Sequence, residues 1–465
     1  MFRSLVDRLM SLPLVAGLTE RGLTLYNAVI GSRGGVASLA LFDCLIVSGM
    51  SFVTLLLLGH FGGSKELGIF TLVMTVFYLL LAVQESLITM PYTVFGIRWK
   101  GTRHSHYSGA VLGQSLAWSV FASSALAIAA ATIFYLGKGD GLHRVVAVFA
   151  IVLPVWSLRE FGRRYMFANM EVAKVVVMSA VGALIQFIAI CLLAYTGRIT
   201  AVTALLAMGL ASAISASGWL WYSRSLFRFN RRKWSHYARK NWDFGSWILA
   251  SHAMAVVAGN VMPWLIVAYL GASATGVFAA CDAILRFANP IITSLNNVLT
   301  PRLSIGFNKG GKEELHRIVL QTTGMLALFL LGFCAFLTVA GKHLLNWSFG
   351  PEFDGYWLAL VTLAASQLTE TLGLATSRAL MVLNRASLNL YAEGVGLSTS
   401  FIAAMILIPR FGIEGAALAH LSGSIALAVA TAIAYLSAIR DGESESVFAI
   451  GRTAAAPTPA GGTSE

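Results

Sequence analysis

Six polar residues, Asp282, Arg286, Asn289, Thr293, Asn296 and Thr300, recur at spacings of 4, 3, 4, 3 and 4 in an otherwise apolar stretch. On an α-helix that spacing places them on one face. Such a stripe suits the lining of a hydrated cavity. Its amides, hydroxyls and charged pair would there meet water or a polar solute. Asp282 and Arg286 stand four apart, so mutual neutralisation is as good a reading as ligand contact. A thinner stripe holds Thr75, Tyr78, Glu85 and Thr89, and Asn389, Glu393 and Ser400 share a third face. Asp43, Glu85, Asp282, Glu370 and Glu393 are the acids in apolar surroundings, and Arg286 reads as the single base among them. A charge near the centre of a bilayer costs at least about 2.5–3.5 kcal/mol, so these residues should face a bundle interior or water.

Glu85, Asp43 and Glu370 are candidates for ion coupling, with H+ and Na+ indistinguishable. Each has a plain alternative. Asp43 and Glu393 lie near segment ends, where snorkelling or helix–helix hydrogen bonding serves equally. Glu370 has Arg378 two turns on as a partner, while His252 and His420 read as structural. Gly259, Asn260 and Pro263, within AGNVMP, mark a bent or locally unwound turn and a candidate hinge. Pro154 and Pro290 should kink their own segments, as prolines also do in static bundles.

The elements that must position these residues are apolar. Of 465 residues, 57% are hydrophobic and 12% charged, and mean hydropathy is +0.74. Soluble domains carry about 25% charged residues. The class is an all-α polytopic membrane protein, which excludes aqueous catalytic domains, nucleic-acid modules and disulfide scaffolds. Cys44, Cys191, Cys281 and Cys334 are scattered singly, so no metal or disulfide pattern arises. No cofactor or metal is expected. A membrane span needs about 20 apolar residues, and apolar blocks fall at 36–60, 69–95, 107–136, 145–158, 175–196, 199–222, 244–270, 276–301, 318–340, 356–377, 386–408 and 415–439, the fourth being short and carrying Pro154. Residues 1–35 read as an interfacial amphipathic stretch and 441–465 as a disordered tail. Trp99, Trp219, Trp221, Trp242, Trp347 and Trp357 stand at segment edges as interfacial anchors.

Of the 33 Lys and Arg, 26 lie on the N-terminal side and in every second loop, and six lie in the loops between. Cytoplasmic loops collect such residues, so both termini should be cytoplasmic. The run Arg231-Arg232-Lys233 then touches anionic lipid. The chain also repeats itself. FGGSKELGIF at 61–70 aligns with LGASATGVF at 270–278, pairing Gly62 with Gly271, Gly68 with Gly276 and Phe70 with Phe278. Asn169, Gly197, Ala201, Ala204 and Ala211 align with Asn384, Gly412, Ala416, Ala419 and Ala426 at an offset of 215. Two parallel six-helix lobes follow, 36–222 and 244–440, joined by the basic linker 223–243. Transporters place substrate between such halves.

LGASATGVFAACDAILRFANPIITSLNNVLTPRLS at 270–304, RRYMFANMEVAK at 163–174 and NRASLNLYAEGVG at 384–396 carry a resemblance across 36–440. The chain resembles the polysaccharide-transporter, O-antigen flippase-like branch of the multidrug/oligosaccharidyl-lipid/polysaccharide exporter superfamily. The resemblance implies a V-shaped bundle working by alternating access in a bacterial or archaeal cytoplasmic membrane. It implies a flippase for a polyprenyl-diphosphate-linked oligosaccharide in cell-surface (O-antigen or exopolysaccharide) biosynthesis. Lipid-linked glycan, membrane lipids and other polysaccharide-assembly proteins are the implied partners, with no nucleic acid. A multidrug/cation antiporter of the same superfamily is the alternative, since internal acids outnumber internal bases. A membrane glycan polymerase or glycosyltransferase is disfavoured: the longest external connection, 341–355, leaves little room for an acceptor site. The major facilitator plan is disfavoured too, because FGIRWKGTRHS lacks Gly-x-x-x-Asp-Arg.

Overall fold

The computed structural model describes residues 33–99, 101–136, 142–229 and 231–440. The tail at 441–465 lies outside them, as does the N-terminal stretch except for residues 33–35. We number the α-helices in chain order: α1 Arg33–Gln84, α2 Met90–Phe95, α3 Gly101–Tyr135, α4 Leu142–Ala168, α5 Val172–Tyr195, α6 Ala201–Ser223, α7 Arg231–Leu270, α8 Ala272–Leu285, α9 Asn289–Phe349, α10 Trp357–Val382 and α11 Ala386–Arg440. No strand occurs among the described residues. Nine helices among them are long and apolar enough to cross a membrane.

Glycines and prolines break the longest helices. Gly63 (φ 81, ψ 175) interrupts α1, Gly310 and Gly311 interrupt α9, and Gly412 (φ 61, ψ −133) interrupts α11. The halves of α11 then pack on each other: a Cβ on Gly423 would stand 2.4 Å from the Ser400 Cβ. Small residues let helix backbones approach in this way. Pro91 opens α2 and Pro290 opens α9. A proline has no N–H for the carbonyl four residues back and its ring crowds that carbonyl. Those carbonyls belong to Leu87 and Arg286. Leu87 lies in a π turn, Glu85–Thr89, and Arg286 opens a 3-10 turn, Arg286–Ala288.

The chain divides into two compact units, one up to Asn260 and one from Val261, with the division inside α7. In the first unit, Phe77 stacks on Trp156 at 3.6 Å between centroids. An aromatic core holds Tyr92, Tyr107, Phe161, Tyr165, Trp219 and Tyr237. Trp219 is therefore no interfacial anchor; it is 6% exposed, beside Phe161, Tyr165 and Phe227. Trp221, two residues on, points outward at 71%. The Glu66 carboxylate accepts from Ala201 N–H at 2.7 Å, so an acid from α1 caps the start of α6. In the second unit, Leu303, Leu315, Ala375, Ala379 and Tyr435 form the core.

Candidate functional site

The fourth apolar block, expected to end at 158, continues as helix to Ala168. This extension places Arg159, Glu160, Arg163 and Arg164 on α4, where the sequence reading had a loop. Arg163 bridges two helices. Its Nη2 donates to Asp43 Oδ2 of α1 at 2.6 Å, and its Nη1 donates to Glu160 Oε2 at 2.9 Å. Arg159 Nη1 lies 3.8 Å from the other Glu160 oxygen. Residues 159–164 of α4, under two turns, thus supply three guanidiniums and a carboxylate. A Cβ on Gly182 of α5 would come within 3.5 Å of Arg159 Nη2 and 2.8 Å of Ser215 Oγ, so the missing side chain leaves room for Arg159.

Glu85 opens the π turn and is paired as well. Arg164 Nη2 stands 2.7 Å from Glu85 Oε1, with the arginine side chain 50% exposed and the glutamate 18%. The widened turn meets three other helices. Gln84, just before it, donates to Ser157 O of α4 at 3.0 Å and to Ser115 Oγ of α3 at 3.3 Å. Ser86 Oγ lies 3.3 Å from His252 Nδ1 of α7. Gly245 of α7 crosses so close that a Cβ there would stand 2.4 Å from the Ser86 carbonyl oxygen. π turns often accompany functional sites.

Arg286 is therefore not the single base in apolar surroundings, and Asp43 and Glu85 each have an arginine partner on α4. Asp43, Glu85 and Glu160 oppose Arg159, Arg163 and Arg164, a charge-balanced set in which Asp43 is 2% exposed. Balance is what burial demands, because an unpaired charge in a low-dielectric interior is costly. Asp43 Oδ1, Arg159 Nε and Arg163 Nε are buried without a hydrogen-bond partner among the described residues. The network is saturated in charge and incomplete in hydrogen bonds.

In the second unit, Arg286 Nε and Nη2 both reach Asp282 Oδ2, at 2.8 and 2.7 Å. The pair stands open, 54% and 42% exposed. A 3-10 turn at Arg286–Ala288 separates Asp282 on α8 from Asn289 at the start of α9. Asn289 instead turns to α10, where its Oδ1 accepts from Gln367 Nε2 at 3.0 Å. One turn along α10, Glu370 accepts from Ser424 Oγ at 2.9 Å and lies 3.4 Å from His420 Nε2. The side chains of Thr293 and Asn296 lie outside the described residues. Asn389 donates to Ser377 Oγ at 2.7 Å, whereas Glu393 on the same helix is exposed. Around Gly259, Asn260 and Pro263, α7 is continuous helix and no turn is unwound. Asn260 Nδ2 bonds back to the Val256 carbonyl at 2.8 Å.

The family model of polysaccharide biosynthesis proteins matches residues 57–358. The chain belongs to this family. No curated protein matches the sequence. Among solved structures, the fold is similar to an inward-facing multidrug resistance MATE family transporter of the MOP superfamily, at 14% identity and TM-score 0.71, covering 86% of this chain and 96% of that one. It is similar to the lipid II flippase MurJ in an inward closed conformation, at 10% identity and TM-score 0.67, covering 87% and 89%. It is also similar to a MOP superfamily transporter from Pyrococcus furiosus, at 16% identity and TM-score 0.58, covering 87% and 96%. The expected all-α fold of the exporter superfamily is the fold observed.

For this family member, the sequence reading named Asp43, Glu85, Asp282, Arg286, Asn289 and Glu370, and each lies in a polar contact. It missed Arg159, Glu160, Arg163 and Arg164. Hydropathy falls after Ser157, and a dense run of charges reads as a loop when its partners on α1 and the π turn are unknown. The RRYMFANMEVAK motif already contained two of them.

Proposed function

We propose that this chain is a flippase that moves a polyprenyl-diphosphate-linked oligosaccharide across the cytoplasmic membrane by alternating access, for cell-surface polysaccharide assembly. Family membership carries the proposal, and the fold it shares with transporters and a flippase of one superfamily supports it. The chemistry of the sites agrees. A diphosphate needs guanidinium donors, and each unit presents a half-exposed one, Arg164 or Arg286, leaning on a carboxylate. Such a guanidinium can swing to a phosphate while its acid turns to solvent or to a sugar hydroxyl. Twelve crossings in two six-helix lobes, with cytoplasmic termini, complete the reading and rest on the sequence pattern and charge bias.

The cation-antiporter alternative drew on an excess of acids, and that excess shrinks once α4 is counted: Asp43 and Glu85 both lie against arginines. H+ or Na+ coupling falls to Asp43, Glu85 and Glu370 as candidates, and Glu370 has His420 as neighbour. Deletion in the native host tests the proposal. We expect lipid-linked oligosaccharide to accumulate in the inner leaflet and surface glycan to fall, with drug sensitivity unchanged. Unchanged surface glycan together with new sensitivity to cationic drugs would select the antiporter.

A further inference from the structure

Helix α7 is 40 residues long, about 60 Å at 1.5 Å per residue, against a hydrocarbon core about 30 Å thick. Its polar start, 231–243, therefore runs beyond the apolar part of the span. One face of this start is fixed to the first unit. Tyr237, Asn241 and Gly245 are buried, and Asn241 accepts from Tyr107 Oη at 2.8 Å while donating to Gln114 Oε1 at 2.8 Å. The other face carries His236, Arg239, Lys240, Asp243 and Phe244, and with Phe95 from the end of α2 these line a cavity of about 500 Å³.

The cavity is basic and walled by rings. Lys240 Nζ lies 4.3 Å from the Phe95 ring centroid and 4.7 Å from that of Trp99, and the Arg98 guanidinium lies 5.9 Å from the Phe95 centroid. Arg239 is exposed, with no ion pair or hydrogen bond among the described residues. Asp243 is the single acid in the lining. Trp242 and Trp247 beside the cavity are 58% and 83% exposed, as rings at headgroup depth are.

We propose that this cavity binds the phosphodiester headgroup of an anionic membrane phospholipid. Arg239 and Lys240 donate to the phosphate oxygens, and Phe95 and Phe244 lie along the glycerol and upper acyl carbons. Asp243 accepts from a headgroup hydroxyl, as a glycerol headgroup offers, and it disfavours a more highly charged diphosphate. The site is separate from the α4 network and holds lipid rather than cargo.

Native mass spectrometry of the full-length protein in detergent tests this, with short-chain phosphatidylglycerol as probe. Phosphatidylglycerol should be retained and phosphatidylcholine should not, and Arg239→Gln should weaken binding about tenfold or more, the scale of one charge-assisted hydrogen bond. Arg239 has no ion pair or hydrogen bond to lose among the described residues, so the variant should fold normally. Lys240→Gln provides a second reading of the same site. Equal retention of both lipids, or unchanged binding in Arg239→Gln, would overturn the proposal. Displacement by equimolar polyprenyl diphosphate would reassign the cavity to the cargo, and displacement by equimolar inorganic phosphate would make it a free-phosphate site. Either overturns the headgroup assignment.

Discussion

Arg163 holds two carboxylates from two helices, and what it does is set by burial. Its side chain is 15% exposed and that of Asp43 is 3%. Removing one partner of a buried pair leaves the other charge stranded, which costs about 3–5 kcal/mol, whereas replacing both with apolar residues is often neutral. Arg163→Met should therefore lower the melting temperature and the yield sharply, and Asp43→Leu with Arg163→Met should recover most of both. Thermal unfolding in detergent checks this, and equal losses in the single and double variants would make the pair irrelevant to stability. Arg164 is different, since half of it faces outward. Arg164→Gln should express normally and flip at least about tenfold more slowly, the loss expected when a charge-assisted bond to the moving group disappears. Asp282 and Arg286 were legible from their spacing of four. The α4 arginines were not, because their partners lie 120 and 79 residues away in sequence (Asp43 for Arg163, Glu85 for Arg164).

At the scale of elements, two prolines locate the irregular turns. Pro91 follows the π turn that begins at Glu85, and Pro290 follows the 3-10 turn that begins at Arg286. Both prolines were visible in the sequence, but the type of turn was not, since it depends on which neighbours donate to the freed carbonyl. Of the bend or unwinding expected around Pro263, the helix shows no unwinding. One proline in a long helix can be absorbed when surrounding helices hold it, and Pro263 is buried. The π turn is wedged by Gly245. Gly245→Ala would drive a Cβ to 2.4 Å from the Ser86 carbonyl oxygen, so α7 must move away from the turn. Overpacking of this kind costs about 1–3 kcal/mol. The variant should lose stability and loosen the His252–Ser86 contact, and hydrogen exchange at 85–89 should rise. Unchanged protection there would dissociate α7 from the turn.

Across the whole molecule, the two halves share backbone details that bear on the repeat. Gly63 (φ 81, ψ 175), next to the Gly62 aligned in the sequence, and Gly271 (φ 85, ψ −180) adopt the same conformation. Gly197 and Gly412, aligned in the sequence, have φ of 65 and 61. The ends of α4 and α10 carry the same cap. Glu171 N–H bonds Met166 O and Met170 N–H bonds Phe167 O, while Arg385 N–H bonds Leu380 O and Asn384 N–H bonds Met381 O. The left-handed residues are Met170 and Asn384, so the two halves keep a strained non-glycine cap at one place. The two six-helix lobes remain a proposal resting on the small-residue pattern, and these backbone likenesses support it. Orientation rests on charge. A cysteine placed at Ser235 should be labelled only after the cells are opened, and labelling in intact cells would invert the topology. The central claim is transport of a lipid-linked glycan, and purified protein in liposomes tests it most directly. With fluorescent polyprenyl-diphosphate-linked oligosaccharide in both leaflets, protein-containing vesicles should expose the inner-leaflet pool to an external quencher or lectin, and Arg164→Gln vesicles should do so far more slowly. An inner pool as protected as in empty vesicles, alongside uptake or efflux of a cationic dye by the same vesicles, would contradict the account.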